Sequence, residues 1–325
     1  MTMKIKMKKL CVFCLVAAWM GALSPLAGGE APKASSSSQP ANSSGPDDPL
    51  AEYESLAAKA GEKDAKAWLK LADFCEEHLL IEQRRKSIEK AIAIESDNRE
   101  ARQRLDQVKV DGEWLPIGEA EKREIETQEA AGKRYYGKGW VTEKQAKTLQ
   151  AEDRKAEKWD LVLRVDRKNV TVFSSAPVAD ALFAADIVDN FVAAYVRLYG
   201  KIWKLSALKK PLRIYLVQEL PVYKSMTNTS TEGMYDAAKD ICYVHVGEVK
   251  GMTREENRDC LWGGTMVHEL THALDDLIAG AVGSARKRAV WIGEGSADFF
   301  GRSRIGRQIV PGAIKLAPPQ RFADS

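Results

Sequence analysis

The pentad His268-Glu269-Leu270-Thr271-His272 constrains this chain more than any other stretch, because it lies in a run whose apolar residues recur at helical spacing. Val267, Leu270, Leu274 and Leu277 can pack such a helix into a core. Residues four apart share a helix face, so both imidazoles can reach one ion, while Glu269 lies a step around the turn, where it can address a water held by that ion. A fold able to bury this helix and to bring a further ligand beside it is therefore required.

Two histidines leave a catalytic zinc site incomplete, since three protein ligands and an open position are the usual set. The arrangement with Gly and a third His further along the same segment is excluded, because Asp275 and Ile278 occupy those positions. The remaining common solution is a glutamate on the next helix. Trp291-Ile292-Gly293-Glu294-Gly295-Ser296-Ala297-Asp298 supplies Glu294 after 21 intervening residues. Glu294 and Asp298 share a helix face, and an imidazole on a metal needs its other N–H held by a carboxylate or carbonyl.

The HExxH pentad with a downstream Glu followed four residues later by Asp resembles the thermolysin-type gluzincins. The form Trp-x-x-Glu-Gly-x-Ala is similar to the peptidase MA-like group within them. The resemblance implies a zincin-like domain, a small mixed sheet with an active-site helix. It implies one Zn2+ per chain on His268, His272 and Glu294, with Asp298 bonded to His268, Glu269 as general base and peptide-bond hydrolysis as the reaction. Gly233-Met234-Tyr235-Asp236 leading into Ile241-Cys242-Tyr243-Val244-His245 resembles the edge-strand entry of this group, which can bind an extended peptide through its backbone.

The better-known gluzincins place a His or Tyr oxyanion donor after the third ligand. Here no His follows His272, no Tyr follows Tyr243, and 31 residues follow Glu294. Either the donor comes from upstream, with Tyr235 first, since Gly233 lets the backbone approach the cleft, and with Tyr243 and His245 as further candidates, or the large C-terminal subdomain of related enzymes is missing and activity is expected to be weak. A zinc-bound inactive scaffold recruiting partners, and a zinc hydrolase of a non-peptide amide, stay open beside the peptidase reading.

Lys4, Lys6, Lys8 and Lys9 precede an uncharged run to Leu26 with Pro25 and small residues to Gly29, which predicts a cleaved signal peptide over 1–29 and a secreted or periplasmic protein, an uncleaved anchor being the alternative. Of 49 basic side chains these lysines are the four ahead of residue 30, which leaves 45 against 46 acidic ones. A nearly neutral chain has no field for gathering nucleic acid or an anionic membrane, so neither is an expected partner. Residues 30–49 are a Ser/Pro-rich linker with too little apolar surface to order itself. Cys75, Cys242 and Cys260 permit one bridge at most, Cys242 with Cys260, and buried free thiols serve equally.

Residues 50–157 read as a helical region that could also recruit a protein partner. Trp68, Leu71, Ala72, Cys75, Ile88 and Ala91 fall at the packing positions of a single tetratricopeptide-like repeat, although Arg84 stands where a small residue is usual; a plain helical hairpin fits as well. Trp114 and Trp140 sit in two similar turns after Gly, and Thr142 with Gln145 predicts a capped helix to about Lys158. Alternation from Leu161 predicts strands over 161–165, 170–174, from 211 and over 241–246, with a long helix over 179–199. Helices 258–279 and 293–303 are expected to close the chain. Strands followed by helices predict an α+β domain over 158–325, whose substrate would be a peptide or protein.

Overall fold

The computed structural model describes residues 48–203, 208, 210–258, 262–282, 290–305 and 307–314. The expected signal peptide and nearly all of the expected linker lie outside these residues. Helix α1 (Pro49–Ala60) begins with Asp48 accepting the Leu50 N–H and with Pro49 in its first turn, so the last two residues assigned to the linker belong to a helix start. Helices α2 (Ala65–Glu77) and α3 (Ile81–Ile94) form a hairpin. With α4 (Arg99–Gln103) they enclose a small core of Ala65, Leu69, Ala72, Ile88, Ala91 and Ala101. Arg84 is buried there because it is partnered: its guanidinium donates to Glu76 at 3.1 Å and to Gln308 near the C-terminus at 3.1 Å.

The two Trp turns are β-hairpins, each followed by a helix. The first unit is β1 (Gln107–Val110), β2 (Glu113–Pro116) and α5 (Ile117–Ala130). The second is β3 (Lys133–Tyr136), β4 (Gly139–Thr142) and α6 (Glu143–Glu157). Asp111 and Gly112 take φ of 50° and 89° at the first tip, the pair of left-handed residues a two-residue type I′ turn needs. Each indole N–H finds a carboxylate earlier in the chain, Trp114 on Asp97 at 2.7 Å and Trp140 on Glu124 at 2.8 Å. Thr142 and Gln145 form the reciprocal capping box that starts α6.

A five-stranded sheet follows in the order β5-β6-β7-β9-β8, built from β5 (Leu163–Asp166), β6 (Val170–Ser174), β7 (Leu212–Val217), β8 (Gly233–Asp236) and β9 (Ile241–His245). Strands β6, β7 and β9 are parallel, while β5 and the edge strand β8 run antiparallel to their neighbours. Parallel neighbours need a crossover, and α7 (Val178–Trp203) supplies it between β6 and β7, with α8 (Leu220–Thr227) after β7. Helices thus alternate with strands instead of following them. After the short α9 (Arg254–Asn257) come α10 (Gly263–Val282) and α11 (Val290–Arg302). Helix α10 is described from Gly263 and not from 258; Cys260 lies outside the described residues.

The helices do not close the chain. A last hairpin, β10 (Ser303–Ile305) with β11 (Gln308–Ile314), follows α11 directly. Pro311-Gly312 in β11 breaks the signal a strand normally gives, since proline cannot donate to a ladder.

One apolar core joins the sheet to α7, α10 and α11: Val172, Ile214 and Val244 meet Phe183, Ile187 and Phe191, together with Met266, Val267, Leu270 and Phe300. Cys75 and Cys242 are buried free thiols. Among the described residues no helix is long and apolar enough to cross a membrane. From Asp48 onward the described residues pack as one unit, and Arg307 is one of its ties. Its buried guanidinium donates to Glu121 of α5 at 2.5 Å and Asp186 of α7 at 2.7 Å, its backbone N–H to Asp106 at 2.9 Å, and its carbonyl accepts from Asn190 at 2.8 Å.

Candidate metal centre

Helices α10 and α11 pack against each other, and the expected ligands lie where they converge. On α10 the residues spaced four apart on one ridge are Gly264, His268 and His272; on α11 the matching ridge holds Gly301, Asp298 and Glu294. His268 Nδ1 sits 3.0 Å from Asp298 Oδ1. One turn further, His268 Nε2 and His272 Nε2 are 3.3 Å apart, with Glu294 Oε2 3.3 Å from the first and Glu294 Oε1 3.6 Å from the second. His268, His272 and Glu294 form a group able to hold a metal ion, with one ligand atom from each inside a span of 4.8 Å.

These separations test the fit. Zinc bonds of ~2.0–2.2 Å arranged tetrahedrally put neighbouring donor atoms ~3.3–3.6 Å apart. The two imidazole nitrogens, 3.3 Å apart, and Glu294 Oε2, 3.3 Å from His268 Nε2, stand at that separation, while the 3.6 Å approach to His272 Nε2 comes from the other carboxylate oxygen, Oε1. The donors are two imidazole nitrogens and a carboxylate, a set that suits zinc. The imidazoles keep 25% and 26% of their surface and Glu294 54%, so the fourth direction can be reached from solvent. Asp298, bonded at Nδ1, leaves His268 Nε2 for the ion. Burial opposes charging His268, but the carboxylates of Asp298, Glu269 and Glu294 outweigh it and lift its pKa above the ordinary histidine value. The same hydrogen bond holds Asp298 below the usual carboxylate range.

Glu269 faces the edge strand. The register pairs Tyr235 with Cys242 and Gly233 with Val244, and a Cβ on Gly233 would lie 2.5 Å from Thr265 Cγ2 and 2.9 Å from Glu269 Cγ. Only a residue without a side chain lets β8 come this close to α10. The Tyr235 backbone N–H donates to Glu269 Oε2 at 2.9 Å. Burial raises the Glu269 pKa above the ordinary glutamate value, against the pull of both imidazoles and this N–H.

The sequence-derived oxyanion candidates fare differently. Tyr235 touches Glu269 through its backbone, while its phenol donates to Asp240 at 3.1 Å. Burial and Asp240 push that phenol well above the ordinary tyrosine pKa, so it stays protonated. Tyr243 does not reach the ligands: alternation along β9 turns it to the sheet face opposite Cys242, where it packs on Tyr215 at 5.2 Å. His245 packs against Tyr223 at 5.7 Å.

Sequence reasoning missed Gly264 and Gly301. A Cβ on Gly301 would lie 2.9 Å from the Gly264 carbonyl oxygen, and one on Gly264 3.0 Å from that of Gly301, so the two helix backbones touch. The available signal was a glycine four residues before His268 and another seven after Glu294, one on each ligand ridge. Comparison of the chain with protein-family models, with curated proteins and with solved structures finds no match.

Proposed function

We propose that this chain is a zinc-dependent peptidase with a zincin-like catalytic half, exported from the cell that makes it. The carrying observation is the convergence of one ligand atom each from His268, His272 and Glu294 within a span of 4.8 Å, the two imidazole nitrogens 3.3 Å apart, with Glu269 on the helix of the two histidines. A bound zinc ion supplies Lewis acidity to a water and to the carbonyl under attack.

The chain's own residues do the rest. His268, His272 and Glu294 hold the ion, and Asp298 keeps the first imidazole in the tautomer that presents Nε2. Glu269 takes the proton from the attacking water and returns it to the leaving amine. In this structure its carboxylate is bonded to the Tyr235 N–H, which leaves its other oxygen for that task.

The edge strand supports an extended peptide as substrate. The His245 N–H donates to the Glu232 carbonyl, which by the alternation of an antiparallel ladder turns the backbone groups of Gly233 and Tyr235 away from β9, where the Tyr235 N–H meets Glu269 and the Gly233 carbonyl is the group a peptide could reach. Thr231 Oγ1 now donates to the Gly233 carbonyl at 2.7 Å. A docking peptide would replace this contact with its own N–H.

Metal analysis of the purified chain is the test, with a cleavage assay on a proteome-derived peptide mixture. About one zinc per chain is expected, lost in His272→Ala. Glu269→Gln is expected to keep the zinc and to cleave ~10²–10⁴-fold more slowly. Absence of stoichiometric zinc from the wild type defeats the metal reading, and undiminished cleavage by Glu269→Gln defeats the assignment of the base.

A further inference from the structure

We propose that Gly264 and Gly301 are positioning residues for the metal ligands: their backbone contact is the pivot that sets the spacing of α10 and α11 where His268, His272 and Glu294 meet. This inference rests on the zinc reading above.

The geometry has three tiers. At the first, Gly264 and Gly301 touch backbone to backbone. At the second, His268 and Asp298 are hydrogen-bonded at 3.0 Å. At the third, His272 and Glu294 are 3.6 Å apart. The pairing 264 with 301, 268 with 298 and 272 with 294 means that the ridges run antiparallel and that the pivot belongs to the ligand ridges themselves. The third tier stands about 12 Å from the pivot along α10, eight residues at ~1.5 Å each. Any change in spacing or tilt at the pivot is therefore carried to the donor atoms.

Helix pairs with ordinary side chains at the contact stand ~8–10 Å apart, the distance depending on what lies between them. Here nothing lies between them. A Cβ added at Gly301 would meet the Gly264 carbonyl oxygen at 2.9 Å, and a backbone oxygen in the middle of a helix cannot turn aside as a flexible side chain can. Helix α10 is held by the buried Met266, Val267 and Leu270, and α11 by the buried Ala297 and Phe300 on the side away from the exposed Glu294 and Asp298. The strain is thus relieved by a shift of one helix against the other, and either shift changes the spacing between the two histidines on α10 and the third ligand on α11. Zinc sites tolerate only ~0.2 Å in ligand distance, less than the few tenths of an ångström or more that such a clash demands. Gly293 gives the contrast: it lies in the same helix, one residue from Glu294, with nothing within 4 Å of its added Cβ.

The test uses the full chain as wild type, Gly293→Ala, Gly264→Ala and Gly301→Ala. Zn2+ affinity is measured by competition with a chromogenic chelator, and thermal unfolding of each metal-free protein is recorded beside it. Gly293→Ala is expected to bind as the wild type does. Gly301→Ala is expected to bind ~10–100-fold more weakly, the loss typical when a ligand's support is disturbed, and Gly264→Ala, whose contact is slightly longer, to lose somewhat less. A packing role alone would lower the unfolding temperature and leave the affinity of the folded protein intact, so wild-type affinity in folded Gly301→Ala overturns the pivot. If Gly301→Ala does not fold, Gly264→Ala decides by the same criterion. A wild type that binds no zinc would be recognised first and would remove the metal reading and the pivot together.

Discussion

The front of the molecule, residues 48–157, clusters little more than Ala65, Leu69, Ala72, Ile88, Ala91 and Ala101 into a core of its own, whereas the sheet and the helices around it share one apolar core that runs from Trp159 to Ile309 and takes in Tyr136 of the front. Helices α1 and α5 bury no residue completely. Polar contacts tie α5 and α3 instead: Glu121 on Arg307 and Glu124 under Trp140 for α5, and Arg84 between Glu76 and Gln308 for α3. The difference teaches where each half is vulnerable. Front contacts depend on particular partners, so loss of one strands the other, while the back is held by area and answers chiefly to lost volume.

Three variants probe this contrast. Phe191→Ala in the shared core should cost ~3–5 kcal/mol, the range for emptying a buried aromatic site, because Phe191 is fully buried and packs on Tyr195 and Phe300. Urea unfolding reads it, and a loss under ~1 kcal/mol would mean that the back is not area-held. Arg307→Met should cost about 3 kcal/mol, the low end for breaking a buried ion pair, since Glu121 and Asp186 keep 16% and 23% of their side-chain surface. A neutral result would erase the contrast, making the front as independent of specific partners as the back.

Asp298→Asn separates site from scaffold. Asp298 is exposed and its side chain meets His268, so the metal-free protein should unfold within ~0.5 kcal/mol of wild type, as surface changes do. Its zinc affinity should fall ~10–100-fold, equivalent to ~1.4–2.7 kcal/mol, because the amide is a weaker acceptor for the imidazole N–H. Equal affinity would make Asp298 an ordinary surface residue.

What could be read from the sequence was what local spacing encodes. The pentad and Glu294 fall at helical intervals, and the structure clusters those side chains. The Thr142–Gln145 box, the strand Val170–Ser174 and the long helix after it are likewise local signals. The order of strands was not legible, because the pairing of β7 with β9 across α8 and β8 depends on contacts far apart in sequence. The hairpin at Asp111-Gly112 was hidden by short, poorly alternating strands, and β11 by its Pro311-Gly312. The Gly264–Gly301 contact was invisible for a different reason: a residue's lack of a side chain gains meaning only from what stands opposite it.

Arg84 and Arg307 bear on how this architecture can change over generations. Each reaches across from one half of the chain to the other, Arg84 from α3 to Gln308 and Arg307 from beside β11 to Glu121 on α5. A front exchanged wholesale for another helical segment would leave Arg307 buried with Asp186 alone and Gln308 without Arg84. The front is therefore not a portable module. Substitution at 121 should be matched at 307, and substitution at 84 at 76 or 308, so that the two halves descend as a single inherited piece.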